Sequence, residues 1–85
     1  MMRVVIVDDY QVVRQALRVA LAGHDVEIVG EAASGSEAIR ICQELQPDVI
    51  ILDLYLTDAD GFTTIQQIRE TCPSIKSILL TNSAD

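Results

Sequence analysis

Val4-Val5-Ile6-Val7-Asp8-Asp9 opens the chain with four consecutive aliphatic residues that stop at a pair of carboxylates, and Asp48-Val49-Ile50-Ile51-Leu52-Asp53-Leu54 repeats the pattern further on. A continuous β-branched run has no polar face, so it suits a strand covered on both sides. Around these two runs the period changes. Across residues 11–22, Val13, Leu17, Ala20 and Leu21 share one stripe, which predicts an amphipathic helix with Gly23 as its stop. Gln11, Arg14, Gln15 and Arg18 lie off that stripe, and the two arginines are expected on a solvated face. Residues 25–32 begin by alternating (Val26, Glu27, Ile28) and predict an edge strand. Ser34-Gly35-Ser36-Glu37 has the form of a capping box and predicts a helix to about residue 45 that buries Ala38, Ile41, Cys42 and Leu45, with Pro47 beyond it. Phe62, Ile65, Ile68 and Cys72 at helical spacing predict a third helix that Pro73 ends. Residues 75–81 predict a fourth strand with Ile78-Leu79-Leu80 at its apolar end. The order βαβαβαβ with apolar central strands predicts an α/β fold, a parallel sheet with helices on both faces.

Composition bounds what such a domain can do. Eighty-five residues make one domain, 1–85, and 49% apolar with 22% charged residues is a globular mixture. Aromatics are confined to Tyr10, Tyr55 and Phe62, so the core must be aliphatic. A net charge of −7 opposes counterion release from nucleic acid and docking on anionic membranes, so neither is an expected partner of this segment. No apolar run is long enough for a signal peptide or a membrane span, and the expected compartment is the cytoplasm. Cys42 and Cys72 have no CxxC spacing or histidine neighbour and fall on helical apolar stripes, which predicts small buried hydrophobes. His24, the lone histidine, is expected in a solvated loop. Gly30-Glu31-Ala32-Ala33-Ser34-Gly35 lacks the spacing and the lysine of a phosphate loop.

The chemistry gathers at one end of the sheet. Asp8-Asp9 closes the first strand, Asp53 the third and Thr81 the fourth. Open parallel sheets bind ligands outside the carboxyl ends of their strands. Carboxylates that converge there repel by about 1–4 kcal/mol per pair at about 4 Å, depending on the local dielectric. A hard cation such as Mg2+ is the natural offset.

With those residues in order, the chain resembles the receiver domain of two-component response regulators over essentially its whole length. Val4 to Asp9 resembles the family's first strand and acidic pair. Asp48 to Leu54, followed by Asp60-Gly61, resembles the phosphoacceptor segment, and Ile78-Leu79-Leu80-Thr81 the fourth strand with its switch hydroxyl. Ile28-Val29-Gly30-Glu31-Ala32 is most similar to the subfamily that carries a LuxR-type helix-turn-helix. The resemblance implies a flavodoxin-like doubly wound sheet of strand order 2-1-3-4 with three helices. It implies Asp53 as phosphoacceptor from a sensor histidine kinase. It also implies Mg2+ held by Asp9 and Asp53 directly, by Asp8 through water and by the backbone carbonyl of Tyr55. Thr81 is the implied switch hydroxyl, in a signalling module rather than an enzyme.

Departures from the family are local and terminal. Leu56-Thr57 stands where the family has Met-Pro, so the loop after Asp53 lacks proline's fixed φ. The family continues beyond the fourth strand with a helix, a lysine-bearing strand and a last helix, whereas this sequence ends at Asp85. Lys76 is no substitute for that lysine, being about 16 Å from Thr81 along the strand. The fourth strand is therefore expected at the sheet edge, where a second copy would cover it and Leu79→Lys would dissociate the pair. The alternative function is a non-phosphorylated interaction module.

Overall fold

The computed structural model describes residues 1–56, 58 and 60–80. Strands β1 (Met2–Val7), β2 (Val26–Ala32), β3 (Val49–Asp53) and β4 (Lys76–Leu80) alternate with helices α1 (Gln11–Leu21), α2 (Gly35–Leu45) and α3 (Gly61–Thr71). All strand pairs are parallel, as the apolar runs predict, and the order β2-β1-β3-β4 is the one that the resemblance implies for a doubly wound, flavodoxin-like sheet. β1 and β3 lie side by side at the centre, Val4 opposite Val49 and Val7 opposite Leu52.

Alternation divides the sheet between two cores. Val5, Val7, Ile50 and Leu52 face α2 and α3, packed with Ala38, Cys42, Ile68 and Cys72. Val4, Ile6, Val49 and Ile51 face the opposite way, against Leu17 and Leu21 of α1, with Val26, Ile28 and Leu80 alongside. Both cysteines are free and buried, as expected, and burial pushes the Cys42 thiol up to about 11. Gly23 ends α1 with a left-handed φ of 86°, and Ser34 caps α2 by accepting from the Glu37 amide at 3.2 Å. His24 is exposed.

Four expectations need correcting. Phe62 is 65% exposed; the buried residues of α3 are Gly61, Thr64 and Ile68. A Cβ on Gly61 would lie 2.8 Å from the Asp53 carbonyl oxygen and the Leu54 Cα, so α3 meets the sheet on its glycine side and turns Phe62 away. Ala20 is likewise exposed on α1. Ile78, Leu79 and Leu80 do not form one apolar patch: Leu79 packs into the α2–α3 core, Leu80 into the α1 core, and Ile78 is 49% exposed. Arg14 and Arg18 are not simply solvated, since both pair with Glu31 of β2.

That last contact depends on an irregularity in β2. Val4 pairs with Ile28 but Val5 pairs with Gly30, so Val29 is an extra residue and the strand bulges. Regular alternation after Val26 and Ile28 would place Gly30 toward α1 and Glu31 toward α2. The bulge reverses this, so Glu31 pairs with Ile6 and faces α1 while Gly30 packs beneath Leu45 and Ile41 of α2. Leucine at 56, in place of the family's methionine, packs against the α2–α3 core.

Candidate metal and phosphoryl site

Because β1 and β3 are neighbours that end together, the residues closing them share one rim. Asp8, Asp9 and Asp53 each offer a carboxylate oxygen within 4.8 Å of the others. The geometry brings together three of the residues singled out from sequence. Thr81 lies outside the described residues, as does Thr57. Lys76 pairs with Val49 at the far end of β3, and Asp53 with Leu80 at the near end, so the lysine is remote from the rim.

Local hydrogen bonds aim the carboxylates. Asp8 Oδ1 accepts from the Tyr10 amide at 2.9 Å, and Asp53 Oδ1 accepts from the Tyr55 amide at 3.2 Å. Each aspartate thus braces the backbone two residues on, the Asx-turn arrangement that suits a strand breaking into a loop. Asp8 is 4% exposed. Burial pushes its carboxyl above the ordinary aspartate value and the Tyr10 amide pulls it down; the charges of Asp53 and Asp9 then push it up, and Arg14 pulls it down. The Asp8 carboxylate is therefore held against its electrostatic preference. A cation among the three oxygens would relieve it, and hard carboxylate oxygens, one or two of them direct and the rest through water, suit Mg2+.

Residues 54 and 55 after Asp53 are tied to residues 60 and 61. Gly61 N–H donates to the Leu54 carbonyl at 2.6 Å, and Tyr55 pairs with Asp60 in an antiparallel bridge. Asp60 caps α3, accepting from the Thr63 amide at 2.7 Å and the Thr63 hydroxyl at 3.0 Å. Asp58, which sequence reading passed over, caps α2 instead, accepting from the Gly35 and Ser36 amides at 2.7 and 3.1 Å. Those amide bonds hold its carboxyl below the ordinary range. Nothing in the sequence marks Asp58 for this, because its partners lie 23 and 22 residues away. The Tyr55 side chain is 69% exposed and takes no part in the acidic cluster.

Comparison with known proteins gives a consistent picture. Residues 4–85 match the response regulator receiver domain. The chain is 42% identical over 86 residues to the transcriptional regulatory protein LiaR of Bacillus subtilis (strain 168), covering all of this chain but 41% of LiaR. It superposes with a TM-score of 0.92 and 28% identity on a LuxR-family two-component response regulator from Aurantimonas sp. SI85-9A1, covering 98% of this chain and 60% of that one. The isolated receiver domain of RcsB from Salmonella enterica serovar Typhimurium, solved with the phosphomimetic BeF3−, gives a TM-score of 0.89 at 32% identity over 99% of this chain and 64% of that one. The chain thus spans about two fifths of the curated relative's length.

Proposed function

As this chain belongs to the response regulator receiver domain family, whose members transduce signals in two-component systems, we propose that Asp53 accepts a phosphoryl group from the phosphohistidine of a sensor histidine kinase. The convergence of Asp8, Asp9 and Asp53 within 4.8 Å carries this reading. An Asp53 carboxylate oxygen attacks phosphorus as the phosphorus–nitrogen bond breaks, the electron pair leaving with the imidazole. The product is an acyl phosphate. Asp9 and Asp53 would hold Mg2+ directly, Asp8 through water, and the Tyr55 carbonyl would complete the set. Bound there, the cation offsets charge on the transferring phosphoryl group, most of what such a site can contribute. Asp8, buried and hydrogen-bonded to the Tyr10 amide, holds the negative field that attracts the cation. Thr81 would bond a phosphate oxygen.

Three further parts of the reading rest on plainer observations. Among the described residues no helix is long and apolar enough to cross a membrane. The two buried thiols are free, which supports a reducing, cytoplasmic setting. The charge of −7 supports a protein partner over nucleic acid or membrane for this segment. Among the described residues β4 has a neighbour on one side only, and Ile78 within it is half exposed, which supports pairing of two copies of the 85-residue chain through that edge.

Treatment with acetyl phosphate and Mg2+, read by intact mass, tests the central claim. One phosphoryl adduct is expected, absent without Mg2+ and absent in Asp53→Ala. An unmodified wild-type chain, or an adduct that survives Asp53→Ala, overturns it and favours the interaction-module alternative.

A further inference from the structure

Arg14 has no part in the reaction described above, yet it touches the segment that carries two of the acidic residues. Its Nη1 donates to the Asp8 carbonyl at 2.5 Å while its Nε donates to Glu31 Oε1 at 2.9 Å. Its side chain is only 16% exposed. Arg18 takes the other Glu31 oxygen through its Nε. Glu31 stands there because the bulge at Val29 turns it toward α1.

We propose that Arg14 is a positioning residue for the acidic pair: braced by Glu31, its guanidinium clamps the Asp8 carbonyl and fixes how Asp8 and Asp9 present their carboxylates. This rests on the reading of the Asp53 site given above. The Asp8 carbonyl and the Asp9 amide belong to one planar peptide unit, so holding the carbonyl sets the direction in which the chain enters Asp9. Other bonds on this segment fix other atoms: Asp8 N–H donates to the Ala32 carbonyl at 3.1 Å, and Asp8 Oδ1 accepts from Tyr10. A guanidinium fork can hold a carbonyl and a carboxylate in fixed relative directions, whereas a lysine ammonium is a point charge on a flexible stem. Glu31 shares its single charge between Arg14 and Arg18, so net positive charge remains near the site and opposes a cation, which leaves geometry as the way in which Arg14 favours one.

Calorimetric titration of the 85-residue chain with Mg2+ separates geometry from charge. Arg14→Lys and Arg14→Gln are expected to raise the Mg2+ Kd about tenfold, the low end for groups that hold a metal ligand in place. Arg18→Ala removes the other partner of Glu31 but leaves the clamp, and its Kd is expected to match wild type. Glu31→Gln leaves the guanidinium without its brace and is expected to weaken Mg2+ as well, which keeps the test open if an Arg14 variant does not fold. Wild-type affinity in Arg14→Lys, or equal losses in Arg18→Ala and Arg14→Lys, overturns the clamp. A wild-type chain that binds Mg2+ but gains no phosphoryl group overturns the Asp53 reading and not the clamp. A wild-type chain that binds no Mg2+ overturns both.

Discussion

Glu31 places one negative charge between two guanidinium groups, and its hydrogen bond from Arg18 is the largest influence holding its carboxyl below the ordinary value of 4.5, ahead of the bond from Arg14. The folded carboxyl is the stronger acid, so the unfolded chain binds a proton first as pH falls. Linkage then makes the contribution of Glu31 to stability complete above pH 4.5 and lost as pH falls through the lower folded value. Urea midpoints measured from pH 6 to about pH 3 are expected to fall more steeply in wild type than in Glu31→Gln, with the variant less stable at pH 6. Parallel curves would show that the ion pairs add nothing beyond solvation. Asp58 and Asp60, whose carboxyls are lowered by amide bonds from α2 and α3, contribute to both curves and leave the difference intact.

α3 shows how one small residue sets the face of a whole element. With Gly61 pressed onto the Asp53 and Leu54 backbone, the buried line runs through Gly61, Thr64, Ile68 and Cys72, and Thr64 satisfies its hydroxyl on the Asp60 carbonyl at 3.1 Å. The aromatic ring that sequence hydrophobicity favours is left outside. Ile68→Ala is therefore expected to cost about 2–5 kcal/mol by emptying a fully buried site. Phe62→Ala is expected to change stability by no more than about 0.5 kcal/mol, as exposed positions do. Chemical denaturation of the two variants checks the pair, and the reverse ranking would mean that α3 packs on its phenylalanine side.

For the molecule as a whole, the unequal fates of Ile78 and Leu79 decide how self-association can be tested. Leu79 points into the α2–α3 core beside Leu52, so a charge there would damage the fold itself. Ile78 is half exposed on the opposite face, next to Ile51, and is the position to alter. In light scattering over a concentration series, the 85-residue chain is expected to form a dimer or larger assembly that Ile78→Lys dissociates while its circular dichroism is unchanged. Leu79→Lys is expected to lose cooperative unfolding instead. A wild-type chain that is monomeric at high micromolar concentration would rule out pairing through β4.

The sequence by itself determined the alternation of elements, the two central strands and the acidic rim, because these depend on signals within a few residues of one another. Four aliphatic residues in a row leave a strand no solvent face, and a carboxylate directly after them has to lie at the strand's end. Ser34 with Glu37, and Gly23, are equally local signals of where helices begin and stop. Only the tertiary structure decided what spans distant segments: that Arg14 and Arg18 meet Glu31, that Asp58 caps α2, and that Phe62 stays outside. The physical reason is the same in each case. A single extra residue at Val29 exchanges the faces of β2, and one missing Cβ at Gly61 rotates α3 onto the sheet. Neither alters the composition or the hydrophobic period from which the elements are read.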